Sequence, residues 1–416
     1  MNTFRLINLA ITLFLFVCYA YQSIYILIPF IKKTPPPKKA AGRNRFAVLI
    51  CARNEEAVIA DLINCLHEQT YDRSLISVFV MADNCTDSTA ETARAAGATV
   101  YERFNVELIG KGYALEALLR GIKRDYPGCF DGFFVFDADN ILAKDYIEQM
   151  NRTFSEGFEI VTSYRNSKNY GDNWLSAGYS LWFMRESRFL NHSRSLLGLS
   201  CTVSGTGFLF SQKIIDSTNG WIFHTLTEDL EFSAHHISNG VTIGYCPGAV
   251  LYDEQPVTLR QSFRQRMRWA KGMNQVFVKY GARLARGAAR GSFSCFDLSM
   301  ILMPIVLPVT VNVVVGFIFF AFGALQGESL LTTLRSLGQT LLNMYIPLLI
   351  LGTVTTVSEW KRIRAASIKK ILYIFTLPLF VFTSIPISFA ALFAKVEWKP
   401  IKHRISAAAL NAENRF

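Results

Sequence analysis

The sequence predicts an α/β domain built on a largely parallel sheet, with apolar helical segments at both ends. Two observations predict it. Short β-rich runs alternate with helical stretches through residues 46–272, which is the pattern of a layered α/β domain. Residues 6–31, 298–325, 336–358 and 371–394 carry no formal charge, and about 20 apolar residues suffice to cross a bilayer core.

The elements follow in order. Residues 1–32 form an N-terminal anchor. It is longer than the apolar core of a cleaved signal and ends in Lys32-Lys33 without a small-residue cleavage site. Residues 33–45 are a basic, Pro-rich linker, stiffened by Pro35-Pro36-Pro37. In the domain, Phe46–Ile50, Ser77–Met81, Thr99–Glu102 and Phe133–Phe136 read as strands. Glu55–Gln69, Thr86–Ala96 and Lys111–Tyr126 read as helices. Ligands of such sheets bind beyond the carboxyl ends of the strands. That singles out the loops Cys51–Glu56, Ala82–Asp87 and Asp137–Asn140, each of which is acidic. Residues 273–297 read as an interfacial helix or linker, 298–394 as a membrane region of about three apolar segments, and 395–416 as a basic tail.

Composition narrows the partners. The 416 residues carry a net charge of +11 and are 51% hydrophobic. Many basic residues flank apolar stretches, which fits a lipid surface better than nucleic acid. The lysines and arginines after residue 31 put the domain in the cytoplasm by the positive-inside rule, so the chain is expected to be integral to the cell membrane. Both flanks of 371–394 are basic as well, which conflicts with simple alternation. Either that segment is re-entrant or interfacial, helped by Pro378 and Pro386, or 298–325, with Pro304 and Pro308, is not a simple span. The tail is held as cytoplasmic. The eight cysteines form no CxxC pair and read as reduced thiols.

The chemistry concentrates in a few clusters. Asp137 and Asp139 follow an apolar strand. If extended geometry persists they face the same way and can hold Mg²⁺ or Mn²⁺, leaving positions for phosphate oxygens. Asp83, past another strand, is placed to contact a nucleobase or ribose, with Thr86 and Asp87 left to cap the next helix. Lys111, in Gly110-Lys111-Gly112, opens a helix where a phosphate can approach. Thr227-Glu228-Asp229 reads as a helix start with Thr227 as N-cap and Asp229 as general base. On a helix Gln265, Arg268 and Trp269 share one face. There Arg268 can clamp a diphosphate and Trp269 can offer a platform to a sugar ring.

Asp83, Asp137-Ala-Asp139, Thr227-Glu228-Asp229 and Gln265–Trp269, in this order, resemble the signature of membrane-anchored family-2 glycosyltransferases, the group of cellulose, hyaluronan and chitin synthases. Cys51-Ala-Arg53-Asn-Glu55-Glu56 is similar to that family's first-strand motif, which implies uridine contacts by Arg53 and Glu55. Val203-Ser204-Gly205-Thr206-Gly207 is similar to its acceptor loop, which implies acceptor contacts by Ser204, Gly205 and Thr206. The resemblance covers residues 46–272. It implies a Rossmann-like GT-A domain, a UDP-sugar donor bound also by Lys111, Asp137, Gln265 and Arg268, and a divalent metal on Asp139 and Asp137. It further implies inversion, with Asp229 as base beside Glu228. Asn140 follows the DxD with no nearby proline, a departure from many relatives, and the FxVTxK gating loop of bacterial cellulose synthases is absent. Lys395–Pro400 resembles the short W/K tail of smaller members.

The leading expectation is a processive synthase that extends a β-linked polysaccharide and exports it through its own helices. The alternative is a single transfer to a membrane lipid, as in ceramide or diacylglycerol glucosyltransferases.

Overall fold

The run Phe46–Ala52 (β1) is buried along almost its whole length, as a strand covered on both faces must be. It lies between β2 (Ile76–Asp83) and β4 (Gly132–Asp137), parallel to both, and β3 (Thr99–Arg103) extends β2 in the same sense. In this computed structural model residues 16–35, 41–303 and 330–396 are described, with the isolated positions Leu6, Ala10, Leu13, Phe14, Ile318, Ala321 and Leu325.

The sheet has eight strands in the order β3-β2-β1-β4-β7-β6-β8-β5. The later strands are β5 (Ile141–Leu142), β6 (Ile160–Ser167), β7 (Phe208–Ser211) and β8 (Ile243–Asp253). β7 runs antiparallel between β4 and β6, and β5 antiparallel to β8, so the sheet is mixed.

Alternation along each strand separates two cores. Phe46, Val48, Ile50, Phe134 and Phe136 pack under the helices Ile59–His67 and Tyr146–Ser155. Ala47, Leu49, Phe133 and Val135 pack on the opposite face under the helix Lys111–Asp125. In Ile59–His67 the buried set Ile59, Leu62, Ile63 and Leu66 has the helical spacing.

Taking the described helices in chain order, α1 is Tyr21–Ile31, α2 Ile59–His67, α3 Thr89–Ala95, α4 Lys111–Asp125, α5 Tyr146–Ser155 and α6 Trp174–Arg185. A π-helical turn, Glu186–Asn191, continues α6 into α7 (His192–Leu196). Then come α8 (Gln212–Ser217), α9 (Glu228–Ser238), α10 (Leu259–Ala289) and α11 (Phe293–Leu302). The last are α12 (Leu330–Ser358), α13 (Ser367–Ile374), α14 (Leu377–Phe382) and α15 (Ser384–Phe393).

Several expectations need adjustment. The strands and helices of residues 46–136 occur where predicted, but α2 and α3 begin later, because the preceding residues form the ligand-facing loops. The expected boundary at 272 falls inside α10, whose 31 residues run unbroken through the segment read as a linker. Among the described residues no single helix is long and apolar enough to cross a membrane. One pair, Ser367–Ile374 with Leu377–Phe393, reaches that length only together and is bent by 48°. Most of 298–325, much of the Pro-rich linker and almost all of the basic tail, Trp398 and Lys399 included, lie outside the described residues.

Candidate active site

Strand register builds the site. Cys51 lies opposite both Met81 and Asp137, and Asp83 opposite Arg103, so the three acidic loops meet at one sheet end. They open on a cavity of about 1390 Å³. Asn54 and Asn84, both in the left-handed region (φ 58° and 54°), turn the first two loops. Asn54 Oδ1 accepts from the Thr86 amide (2.8 Å), and Glu56 Oε2 from the Ser88 amide (2.9 Å). Arg53 and Glu55 line the cavity, and the Glu55 amide donates to Thr89 Oγ1 (2.8 Å). Asp87 accepts from the Thr89 amide at the start of α3 (3.1 Å), whereas Thr86 is taken up by Asn54.

Asp83 is buried and receives Arg103 Nη1 at 2.5 Å. Burial still holds its carboxyl above the ordinary value, although Arg103 pulls it down. Arg103, at the end of β3, escaped the sequence reading because nothing in the sequence places Thr99–Arg103 beside Asp83.

The two aspartates of Asp137-Ala-Asp139 do not continue one extended strand. The chain turns after Asp137, so Asp139 is buried and accepts the Glu254 amide (2.8 Å) while Asp137 stays partly exposed. Both carboxylates still line the cavity, joined by Asp253 at the end of β8. Burial pushes Asp253 up to about 6; Arg165 opposes this, while Asp139 and then Asp137 reinforce it. Arg165 Nε donates to Asp253 (2.7 Å) and its Nη1 to the Ser204 carbonyl (2.8 Å), and the guanidinium covers the Phe183 ring (3.7 Å). Neither Arg165 nor Asp253 belongs to a recognisable motif, and only the pairing of β6 with β8 reveals them.

Lys111 does not wait for a phosphate with its ammonium free. It is paired with Asp137 and donates to the Gly205 carbonyl (2.8 Å). Burial alone would lower it, but Asp137 and then Glu228 hold it above its usual value. The glycine after it is required by packing: a Cβ at Gly112 would lie 2.1 Å from the Phe223 carbonyl oxygen.

Thr227 occupies the N-cap position of α9 but makes no capping bond. Its hydroxyl is buried without a partner among the described residues, and the side chain is packed against Gly272 of α10. Glu228 is pushed up to about 7, first by burial and then by Asp229, with Lys111 and Arg268 opposing. Burial also raises Asp229, whose Oδ2 is 3.7 Å from where a Gly205 Cβ would stand.

Gln265, Arg268 and Trp269 line the cavity from α10, as the helical spacing predicts. Arg268 Nη1 donates to the Leu226 carbonyl (2.9 Å), bracing the turn that presents Glu228 and Asp229. Trp269 meets Tyr179 and Phe183 edge to face (5.7 and 5.9 Å). Gln265 Oε1 is buried without a partner among the described residues.

One acceptor-site expectation fails. The Thr206 side chain is buried, bonded to Asn140 and accepting the Asp137 amide (3.0 Å). It is a strut under the aspartate turn and does not line the cavity. Ser204 and Gly205 do line it, but the Ser204 hydroxyl is taken by Glu186 of the π-helical turn.

Asp137 and Asp139 line one cavity with Asp253, and carboxylate oxygens are the hard ligands that Mg²⁺ and Mn²⁺ prefer. The Asp253 repulsion is the charge such a cation would relieve. The residues therefore fit a divalent metal at Asp139 and Asp137, although among the described residues no three side chains are already gathered into a metal-holding group.

Residues 43–272, more than half of the chain, match the family described as glycosyltransferase like family 2, and the chain belongs to that family. Among its relatives it is 25% identical over 261 residues to a probable glycosyltransferase, YdaM, of Bacillus subtilis (58% of this chain, 57% of the relative). It is 26% identical over 271 residues to the β-monoglucosyldiacylglycerol synthase of a Nostoc species (62% and 54%). It is 25% identical over 242 residues to the poly-β-1,6-N-acetyl-D-glucosamine synthase of Staphylococcus aureus (56% and 55%). The chain thus matches little more than half the length of these relatives. A mannosyltransferase from Pyrobaculum calidifontis, solved with GDP-Man and Mn²⁺, shares the fold over 93% of this chain and 99% of its own (TM-score 0.60, 16% identity).

Proposed function

We propose that this protein is a membrane-embedded inverting glycosyltransferase that moves a sugar from a UDP-sugar to a hydroxyl of a lipid acceptor, with its catalytic domain in the cytoplasm. One observation carries the reading. The cavity that begins at Asp83, Asp137 and Asp139 continues past Asp229 and Trp269 to apolar side chains of the terminal helices, among them Met300, Leu348 and Val381. A polar end for a nucleotide and an apolar end for a chain suit a headgroup acceptor.

In this reading Asp83, Arg53 and Glu55 hold the nucleoside, and Asp139 with Asp137 would hold the metal. The metal supplies neutralisation of charge on the departing diphosphate. Asp229, made more basic than an ordinary aspartate by burial, takes the acceptor proton as the hydroxyl oxygen bonds to the anomeric carbon. The bond from that carbon to the diphosphate oxygen breaks on the opposite face, which inverts the centre. Lys111 and Arg268 keep the Glu228–Asp229 pair from losing too much acidity, so Asp229 is ionised when needed.

The polysaccharide reading is favoured by a different observation, the aromatic wall of Trp269, Tyr179 and Phe183, which suits a sugar ring. The test is nucleotide release by detergent-purified protein with Mn²⁺, across UDP-sugars and GDP-mannose, with diacylglycerol or oligosaccharide acceptors and sizing of the product. One sugar on the lipid is expected; a ladder of sugars would transfer the reading to a polymer. No release with any donor would overturn both.

A further inference from the structure

Four of the cations that line the cavity are neutralised or bonded in place. Lys111 meets Asp137, Arg165 meets Asp253, Arg194 meets Asp297, and Arg268 holds the Leu226 carbonyl. Arg185, the last residue of α6, differs. Its Nη2 donates to the neutral amide of Gln22 on α1 (2.8 Å), and its guanidinium lies 5.1 Å from the centre of the Trp182 ring. Among the described residues no carboxylate forms an ion pair with it. Glu186, its neighbour, turns its carboxylate to Ser204. Asp297, the nearby acid on α11, is already occupied by Arg194, Tyr21 and Tyr25. Burial holds the Arg185 guanidinium down at about 10, with Glu186 opposing and the charge of Arg194 adding to the effect.

Arg185 and Gln22 face the same cavity as Met300, Ile301, Leu348, Leu351 and Val381. A neutral lipid in this end would leave a half-buried guanidinium without an ion-pair partner, which is costly. An apolar chain carrying an anion satisfies both walls. A guanidinium prefers phosphate, which it can grip with two parallel N–H donors.

We propose that the end of the cavity nearest the terminal helices is a subsite for a phosphate-bearing lipid, its phosphate on Arg185 and its chain along Met300, Leu348, Leu351 and Val381. This rests on the lipid-acceptor reading above and narrows it. The link to the reaction is short: Glu186, next to Arg185, holds the Ser204 loop, whose Gly205 faces Asp229. A hydroxyl in the headgroup beyond the phosphate is then the group presented to the base.

The test titrates the full chain in detergent with dioctanoyl phosphatidylglycerol, dioctanoylglycerol and soluble glycerol phosphate. The loss of one charged hydrogen-bonding partner predicts that the phospholipid binds roughly tenfold or more tighter than the neutral lipid, and that Arg185→Ala abolishes this difference. Arg185→Lys keeps part of the difference, and Arg185→Gln, which can still meet Gln22, loses it. Each variant is checked for retained metal-dependent donor hydrolysis, which reports folding and the nucleotide end independently of the lipid. Equal binding of the two lipids by the unmodified protein would overturn the subsite, as would an unchanged preference in Arg185→Ala. Glycerol phosphate bound as tightly as the phospholipid would show that a free anion is recognised, which also overturns the lipid assignment. Absence of nucleotide release with any donor would sink the proposed reaction and leave the titration readable by itself.

Discussion

Asp229 and Glu228 are adjacent, both acidic and both raised by burial, yet the geometry gives them different work. Asp229 faces the Gly205 loop at the cavity, while Glu228 is the more deeply buried of the two, near Lys111 and Arg268. Asp229→Asn removes the base without changing shape. Transfer is expected to fall by roughly 10²–10⁴, with UDP binding, measured by calorimetry, kept within a few-fold; loss of binding would make Asp229 a donor ligand instead. Glu228 predicts a pH dependence of stability. Its folded pKa of about 7 lies above its ordinary 4.5, so between these values the folded state keeps a proton that the unfolded chain has released. Stability of the metal-free, donor-free protein must therefore fall as pH rises toward 7 and level off above it. Thermal unfolding of Glu228→Gln from pH 5 to 8 is expected to flatten that slope, and an unchanged slope would assign it to another group.

At the scale of elements, the site depends on how closely helices approach loops. α4 begins against the segment before α9, and only the missing Cβ of Gly112 allows it. Gly112→Ala is expected to cost about 1–3 kcal/mol as an overpacking change, and to disturb Lys111 with it. The reading is a lower denaturation midpoint together with weaker UDP binding; loss of stability without loss of binding would separate Lys111 from the donor. α10 serves two sides. Gln265, Arg268 and Trp269 look into the cavity, while Arg266 donates to the Phe380 carbonyl and Ser384 (3.0 and 3.1 Å) in the terminal helices. The helical spacing of this motif was legible in the sequence. The partner of Arg266 was not, because it comes from more than a hundred residues away.

For the whole molecule, the decisive contact is where α1 meets α7 and α11. Arg194 and Asp297 are both almost fully buried, and Tyr21 and Tyr25 complete the carboxylate (2.7 and 2.8 Å). Removing one partner of a buried pair costs about 3–5 kcal/mol, since the other charge is stranded. Asp297→Ala is expected to lower the melting temperature. Melting unchanged within error would mean that α1 docks by its apolar face alone. This network fixes the helix-side wall of the cavity, and so the position of Gln22 beside Arg185.

Local pattern determined much of this protein. The alternation of strands and helices, the acidic loops at strand ends and the order of the clusters at Asp83, Asp137, Asp229 and Trp269 all follow from spacing and side-chain chemistry. Their meeting in one cavity is a matter of register, since Cys51 must lie level with Met81 and Asp137. Tertiary structure alone decided that Asp139 turns inward, that Thr206 braces the aspartates and that Arg103, Arg165 and Asp253 join them. Each of these depends on a partner distant in sequence, and burial free energy, not local propensity, selects such partners.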